Sequence, residues 1–269
     1  EFPYDKDHTA MGEYQYVVAN GYHGNWVDMV CNYTYNGTGP TWLITERDGR
    51  HFMESMRIEK NRPHRMFPTL ETGKHQWKDY EVSVSVRRLS QKGMAGLGFS
   101  MNHSIDTLVF YLDGKDKAAV AYRHKEEVQV LKEVSFPHGC DQEYRLKVDC
   151  DGRIAKVYVD DQELFQVEDD LVARGGKVGI TADCPSRFAD FKVCVSEKTK
   201  QEIDVAELAV KETETEEMKK HPKMKLWKKI DLKNFGTSRQ IRFGHLTGTD
   251  EWYVVLAQMQ KRVSRDAYG

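Results

Sequence analysis

Residues 77–136 limit the folds open to this chain more than any other stretch. In Tyr80-Glu-Val-Ser-Val-Ser-Val-Arg87, apolar residues stand at 80, 82, 84 and 86 with polar residues between them. Period two sends alternate side chains to opposite faces of a strand, one face buried and one wet. Blocks at 93–102, 106–114, 117–124 and 126–136 follow, rich in β-branched and aromatic residues and bounded by Gly, Asn, Asp or Lys. Five strands in succession with short turns predict an antiparallel meander, with no length left for crossover helices.

The pattern continues downstream. Residues 142–149 alternate and end at Asp151-Gly152, a hairpin-type turn. Strands are expected at 154–159, 163–167, 175–181 and 189–195. Upstream, residues 13–18 and 41–45 read as strands. Between 46 and 75 lie Arg57, Lys60, Arg62, His64 and Arg65, with Pro63 and Pro68 breaking regularity. The fold class is all-β.

At 269 residues the chain has room for one large sandwich and something smaller. Lys plus Arg total 40 against 42 for Asp plus Glu. That balance gives no electrostatic case for nucleic acid or an anionic membrane. No apolar run approaches the roughly 18 residues of a transmembrane helix. No leader pattern stands at Glu1, so the chain is expected to be mature or cytosolic. The five cysteines, Cys31, Cys140, Cys150, Cys184 and Cys194, show no zinc spacing. An extended strand would hold Cys140 and Cys150 about 30 Å apart, beyond disulfide reach. Free, mostly buried thiols are expected. Asn32, Asn36 and Asn102 head matches to the glycosylation acceptor pattern.

Leu146-Lys-Val148, Val157-Tyr-Val-Asp-Asp161 with Leu164, Gly175-Gly-Lys-Val-Gly-Ile180 and Phe188-Ala-Asp-Phe-Lys-Val193 resemble the concanavalin A-like jelly roll. The pattern is similar to that of laminin G-like and keto-disaccharide hydrolase-like domains. The resemblance implies an antiparallel jelly-roll β-sandwich over residues 26–198, after an N-terminal segment 1–25. Residues 199–225 read as a charged linker with some helix. Apolar residues near helical spacing fill 202–211, and a charge run follows that breaks at Pro222.

Residues 226–269 carry a second resemblance. Arg242-Phe-Gly-His-Leu-Thr-Gly-Thr-Asp-Glu-Trp-Tyr-Val-Val-Leu-Ala257 resembles a blade of rhamnogalacturonan lyase-like and rhamnose–glucuronate lyase-like β-propellers. Such blades read Phe-Gly-Asp-x-Asp-Gly-Asp-Gly, with Asp side chains that bind calcium. Here His245, Thr247 and Thr249 stand where Asp is expected, and Asp250 alone survives nearby. A hard cation needs several oxygen ligands. No cofactor is therefore expected in this loop, and calcium is an expectation for the complete enzyme only. The rest of the propeller is expected in another chain or a missing segment, because one hairpin is marginal alone.

Together the resemblances imply the N-terminal part of a polysaccharide lyase, secreted or periplasmic, cleaving uronate-containing plant glycans by β-elimination. That reaction needs a cation on the carboxylate and a base for the C5 proton. Arg suits the first role and His or Tyr the second. The catalytic candidates are His245 and Arg262. Substrate-binding candidates are Arg239, Arg242, Arg265 and Tyr268, with Trp42 and Arg123 in the sandwich. The alternative is a non-catalytic carbohydrate-binding or structural module, with Tyr33, Tyr35, Trp42, Tyr111 and Tyr122 as aromatic platforms. A hydrolase site would need facing carboxylates. Glu81, Asp106, Asp113 and Glu163 are available, but no paired pattern on one strand brings them together.

Overall fold

The computed structural model describes residues 10–12, 26–29, 40–55, 69–103, 106–125, 127–221, 225, 238–245, 248 and 250–258. The chain divides into two units, Glu1–Thr215 and Glu216–Gly269.

The first unit holds two antiparallel sheets. The eight-stranded sheet runs, edge to edge, β1 (Ala10–Gly12), β3 (Pro40–Arg47), β4 (Arg50–Ser55), β15 (Ser186–Val195), β6 (Tyr80–Arg88), β11 (Glu143–Asp151), β12 (Ile154–Val159) and β13 (Gln162–Glu168). The seven-stranded sheet runs β10 (Glu127–Ser135), β9 (Lys117–His124), β8 (Asp106–Asp113), β7 (Met94–His103), β14 (Lys177–Ala182), β5 (Thr69–Thr72) and β2 (Val27–Met29). The chain crosses repeatedly from one sheet to the other, as the jelly-roll expectation requires. Val82, Val84, Val86, Leu146 and Val148 face Leu97, Phe99, Leu108, Phe110 and Ile180 across the main core, and a smaller cluster of Met94, Val109, Tyr111, Ala119 and Ala121 is separate from it. Burying one such side chain stabilises by about 1.5–3 kcal/mol, which fixes the register of each strand.

The meander is shorter than expected. Strands β7 to β10 follow one another in the seven-stranded sheet, but β6 pairs with β11 and β15 in the opposite one. Alternation shows that one face of β6 is buried; it says nothing about which sheet supplies the neighbours. The crossing is pinned by Arg88, whose guanidinium donates to the carbonyls of Gly93 (2.9 Å) and Gly114 (2.5 Å). Strands β1, β2, β4 and β5 add to the expected set. The expected strand at 13–18 lies outside the described residues.

A short helix, α1 (Asp170–Arg174), follows β13. Asp169 caps it by accepting from the Leu171 amide at 2.8 Å. It ends at Gly175-Gly176, where the Gly176 amide donates to the Trp77 carbonyl. A Cβ on Gly175 would lie 2.2 Å from that same oxygen, at a φ of +67°. No other residue fits there.

The expected linker is a 24-residue helix in the structure, α2 (Glu197–Lys220). It contains no Gly or Pro, and Ser196 caps it by accepting from the Thr199 amide at 3.0 Å. Pairs such as Lys200–Asp204 (3.1 Å) line its exposed face, and Ile203 is buried.

In the second unit, β16 (Ser238–Gly244) pairs antiparallel with β17 (Tyr253–Gln258). The expected propeller blade is not shown: the described residues of this unit hold these two strands and no further strand. Cys140, Cys150, Cys184 and Cys194 are free thiols, and burial pushes the Cys184 thiol up to about 11. No helix among the described residues is long and apolar enough to cross a membrane.

Candidate functional site

The β8–β9 hairpin places the side chains of interest. Asp113 pairs with Lys117 across Gly114-Lys115-Asp116, and Gly114 takes a φ of +64°. Each step back along β8 is matched by one step forward along β9. Leu108 therefore faces Tyr122, and Asp106 faces His124. Alternation keeps all four on the face turned toward the core. Leu108 is inside; the other three come at the mouth of the sandwich, where the core ends.

Two further elements close around them. Beyond Phe99, strand β7 is irregular: Ser100 has a φ of +47°, and its amide donates to the Tyr80 hydroxyl at 2.8 Å. Helix α1 brings Arg174 over this end. Its guanidinium donates to the Ser100 carbonyl (2.7 Å) and to Asp106 Oδ1 (2.8 Å). Asp106 also accepts from the Tyr122 hydroxyl at Oδ1 (2.9 Å) and from Asn102 Nδ2 at Oδ2 (3.1 Å). The Tyr122 hydroxyl lies 3.2 Å from His124 Nδ1.

Burial alone would push the Asp106 carboxyl up. The hydrogen bonds from Arg174, Asn102 and Tyr122 outweigh it and hold the group below the usual carboxylate range. Asp106 is therefore an anion at neutral pH, 9% exposed and fully clamped. Burial and the neighbouring carboxylate push the Tyr122 phenol up, so it stays protonated. The buried part of this cluster anchors α1 to the sheet. The outward part is different: Tyr122 is half-buried, while Asn102, His103 and His124 are exposed. Planar hydrogen-bonding groups surround one half-buried aromatic residue whose ring packs against the core.

The structure disperses most sequence-predicted site residues. Trp42 is fully buried against Phe188, ring centroids 5.9 Å apart, and offers no face to a sugar. Arg123 is 1% exposed on the opposite face of β9 from Tyr122, with Nε donating to the Lys125 carbonyl at 3.3 Å. Tyr111 and Asp113 are buried. Tyr33, Tyr35, Arg262, Arg265 and Tyr268 lie outside the described residues, and Arg239 and Arg242 are placed only as positions on β16. His245 is exposed beside Trp252, ring centroids 4.3 Å apart, with Nδ1 3.0 Å from the Glu251 carbonyl.

Of the four carboxylates, Asp106 alone joins the mouth. Glu81 faces Asp149 across β6 and β11, and Glu163 accepts from the Tyr158 hydroxyl at 3.4 Å. Asn102, His124 and Arg174 escaped sequence reasoning. The hairpin count was available for His124, since the turn at 114–116 fixes its position opposite Asp106; nothing local marked Arg174. Among the described residues no group of three or more His, Cys, Asp or Glu side chains could hold a metal ion.

No family model matches this chain, and no curated protein matches it. Solved structures do resemble it. A carbohydrate-binding module, CBM66, from Bacillus subtilis is 18% identical with a TM-score of 0.44, over 64% of this chain and 96% of its own. A Bacillus subtilis protein of unknown function with a galectin-like fold is 12% identical, TM-score 0.45, over 57% of this chain and 86% of its own. A family 7 alginate lyase is 10% identical, TM-score 0.41, over 61% of this chain and 85% of its own. At such scores these likenesses carry no argument about what this chain binds; the two sheets themselves establish the sandwich.

Proposed function

We propose that the sandwich is a glycan-binding module of a secreted or periplasmic carbohydrate-active protein, with its site at the mouth bounded by β7, β8, β9 and α1. One observation carries the reading: the half-buried Tyr122, packed against the edge of the core, stands among planar groups gathered by the clamped Asp106. A sugar presents a C–H face and a rim of hydroxyls, so it needs an aromatic surface and preset donors and acceptors. Affinity electrophoresis of the chain through soluble polysaccharides tests this. At least one glycan should retard it, and Tyr122→Ala and Asn102→Ala should each weaken that binding by about tenfold or more. No retardation across neutral and acidic plant, algal and bacterial polysaccharides would sink the reading.

A second reading is uronate β-elimination, as the N-terminal part of a rhamnogalacturonan or rhamnose–glucuronate lyase. The observation favouring it is His245. With Nδ1 donating to the Glu251 carbonyl, Nε2 is left as an exposed base beside Trp252. His245→Ala and Arg262→Ala should each lower the release of unsaturated uronate ends by about 100-fold or more. Near-normal rates for both would remove these residues from the mechanism.

A further inference from the structure

The hydrogen bonds at the sandwich mouth have a direction, and that direction fixes what the outermost group offers. The Asp106 carboxylate has no proton to give. The Tyr122 hydroxyl, 2.9 Å from Oδ1, must therefore donate its single proton there. Its oxygen can then only accept from its other neighbour, His124 Nδ1, at 3.2 Å. That nitrogen must carry hydrogen, and the neutral ring is left with a bare lone pair at Nε2. His124 is exposed, and no described residue bonds to that nitrogen.

We infer that His124 Nε2 is the ligand-facing acceptor of this site, its tautomer set by Tyr122 and Asp106, and that the site selects a neutral, hydroxyl-donating sugar over a uronate. The inference rests on the glycan-binding reading. A sugar hydroxyl donates to a lone pair; a uronate carboxylate would set lone pair against lone pair. Charge runs the same way. His124 is flanked across the sheet by Asp106 on β8 and Glu127 on β10. Arg174, the cation facing this cluster, is engaged with Asp106 and the Ser100 carbonyl. A uronate would thus meet two carboxylates with the nearest guanidinium already committed.

The test pairs two measurements on the full chain. Long-range ¹⁵N–¹H spectra of the neutral histidines should show His124 protonated on Nδ1, and Tyr122→Phe should relax it to a mixture of tautomers. Calorimetric titration at about pH 8 should show a neutral galactan or glucan binding at least about tenfold tighter than polygalacturonate. His124→Ala should erase that preference, while His124→Gln, whose amide oxygen also accepts, should keep part of it. Protonation of His124 on Nε2, or polygalacturonate binding as tightly as the neutral polymer, would overturn the inference. Binding of neither polymer would overturn the selectivity, whereas retardation by no polysaccharide at all would overturn the glycan reading, so the two failures are distinguishable.

Discussion

Two polar networks of this molecule begin alike and end differently. On the outer face of the eight-stranded sheet, Glu54 Oε1 accepts from Thr45 (3.0 Å), Arg47 Nε (3.1 Å) and Arg187 Nε (2.9 Å). Beside it Arg50 bridges Glu143 (3.2 Å) and Asp190 (2.5 Å), and lies 5.1 Å over the Phe52 ring. Each charge there meets a partner on the same face. At the mouth of the sandwich, Asp106 is clamped just as fully, but its network runs outward through Tyr122 to His124. The first arrangement ties strands together; the second ends in a group whose bonding capacity faces solvent. Ion-pair density therefore does not locate a binding site in this molecule. On the glycan-binding proposal, the unspent end of a network does.

The largest effect should come from cutting the second network at its root. Asp106→Ala leaves the Arg174 guanidinium without its carboxylate and frees Tyr122. Losing the carboxylate of this partly buried pair and its three hydrogen bonds costs about 3 kcal/mol, measurable by denaturant titration, and glycan binding should disappear with it. Glu54→Ala is the control from the other face. It removes the shared acceptor of three donors and should cost about 1–3 kcal/mol, with glycan affinity unchanged. Lost affinity in the Glu54 variant would break the distinction between the two networks.

Tyr122→Phe is a finer cut. It keeps the ring and removes the one hydroxyl that joins Asp106 to His124. Stability should move by about 1–2 kcal/mol, since the hydrogen bonds to Asp106 and His124 are both lost. Affinity should fall by about fivefold, read by calorimetry at fixed pH. An unchanged affinity would show that the ring alone binds and that the network behind it is structural.

Legibility follows the range of the interactions. The period-two run at 80–86 and the four blocks after it were visible because alternation and turn residues are local properties. That β6 belongs to the opposite sheet was not visible, because Arg88 reaches carbonyls at Gly93 and Gly114 that no local pattern joins to it. Asp106 and Tyr122 stood apart in the sequence, one as a carboxylate and one as an aromatic platform. The hairpin turn brings them together, and α1 adds Arg174 from 68 residues away. The helical spacing at 202–211 is legible, but the extent of the 24-residue helix α2 is not, because the charge run that follows masks a segment with neither Gly nor Pro. Trp42 illustrates the opposite error: an aromatic residue that suits a sugar platform also suits a core, and composition cannot choose between them.

The smallest effect, and the one most diagnostic in sign, comes from two aspartates shifted in opposite directions. Asp106 is held below its ordinary range, so it stabilises the fold above the unfolded carboxylate value of about 3.9 and loses that contribution as pH falls through its lower folded value. Asp149, on the outer face of the eight-stranded sheet, is pushed up by burial and then by Glu81 and Asp151. Its contribution is fully present below about pH 3.9 and is lost as pH rises through its higher folded value, so at neutral pH its charge opposes folding. Asp106→Asn should thus lower the melting temperature at neutral pH and lose that effect in acid. Asp149→Asn should raise it slightly at neutral pH, and the gain should fade toward acid, where the native carboxyl is already neutral. Melting curves of both variants between about pH 3 and pH 7 decide the matter. Two shifts of the same sign would mean that the neighbouring cations Lys156 and Lys147 outweigh burial and the two carboxylates at Asp149.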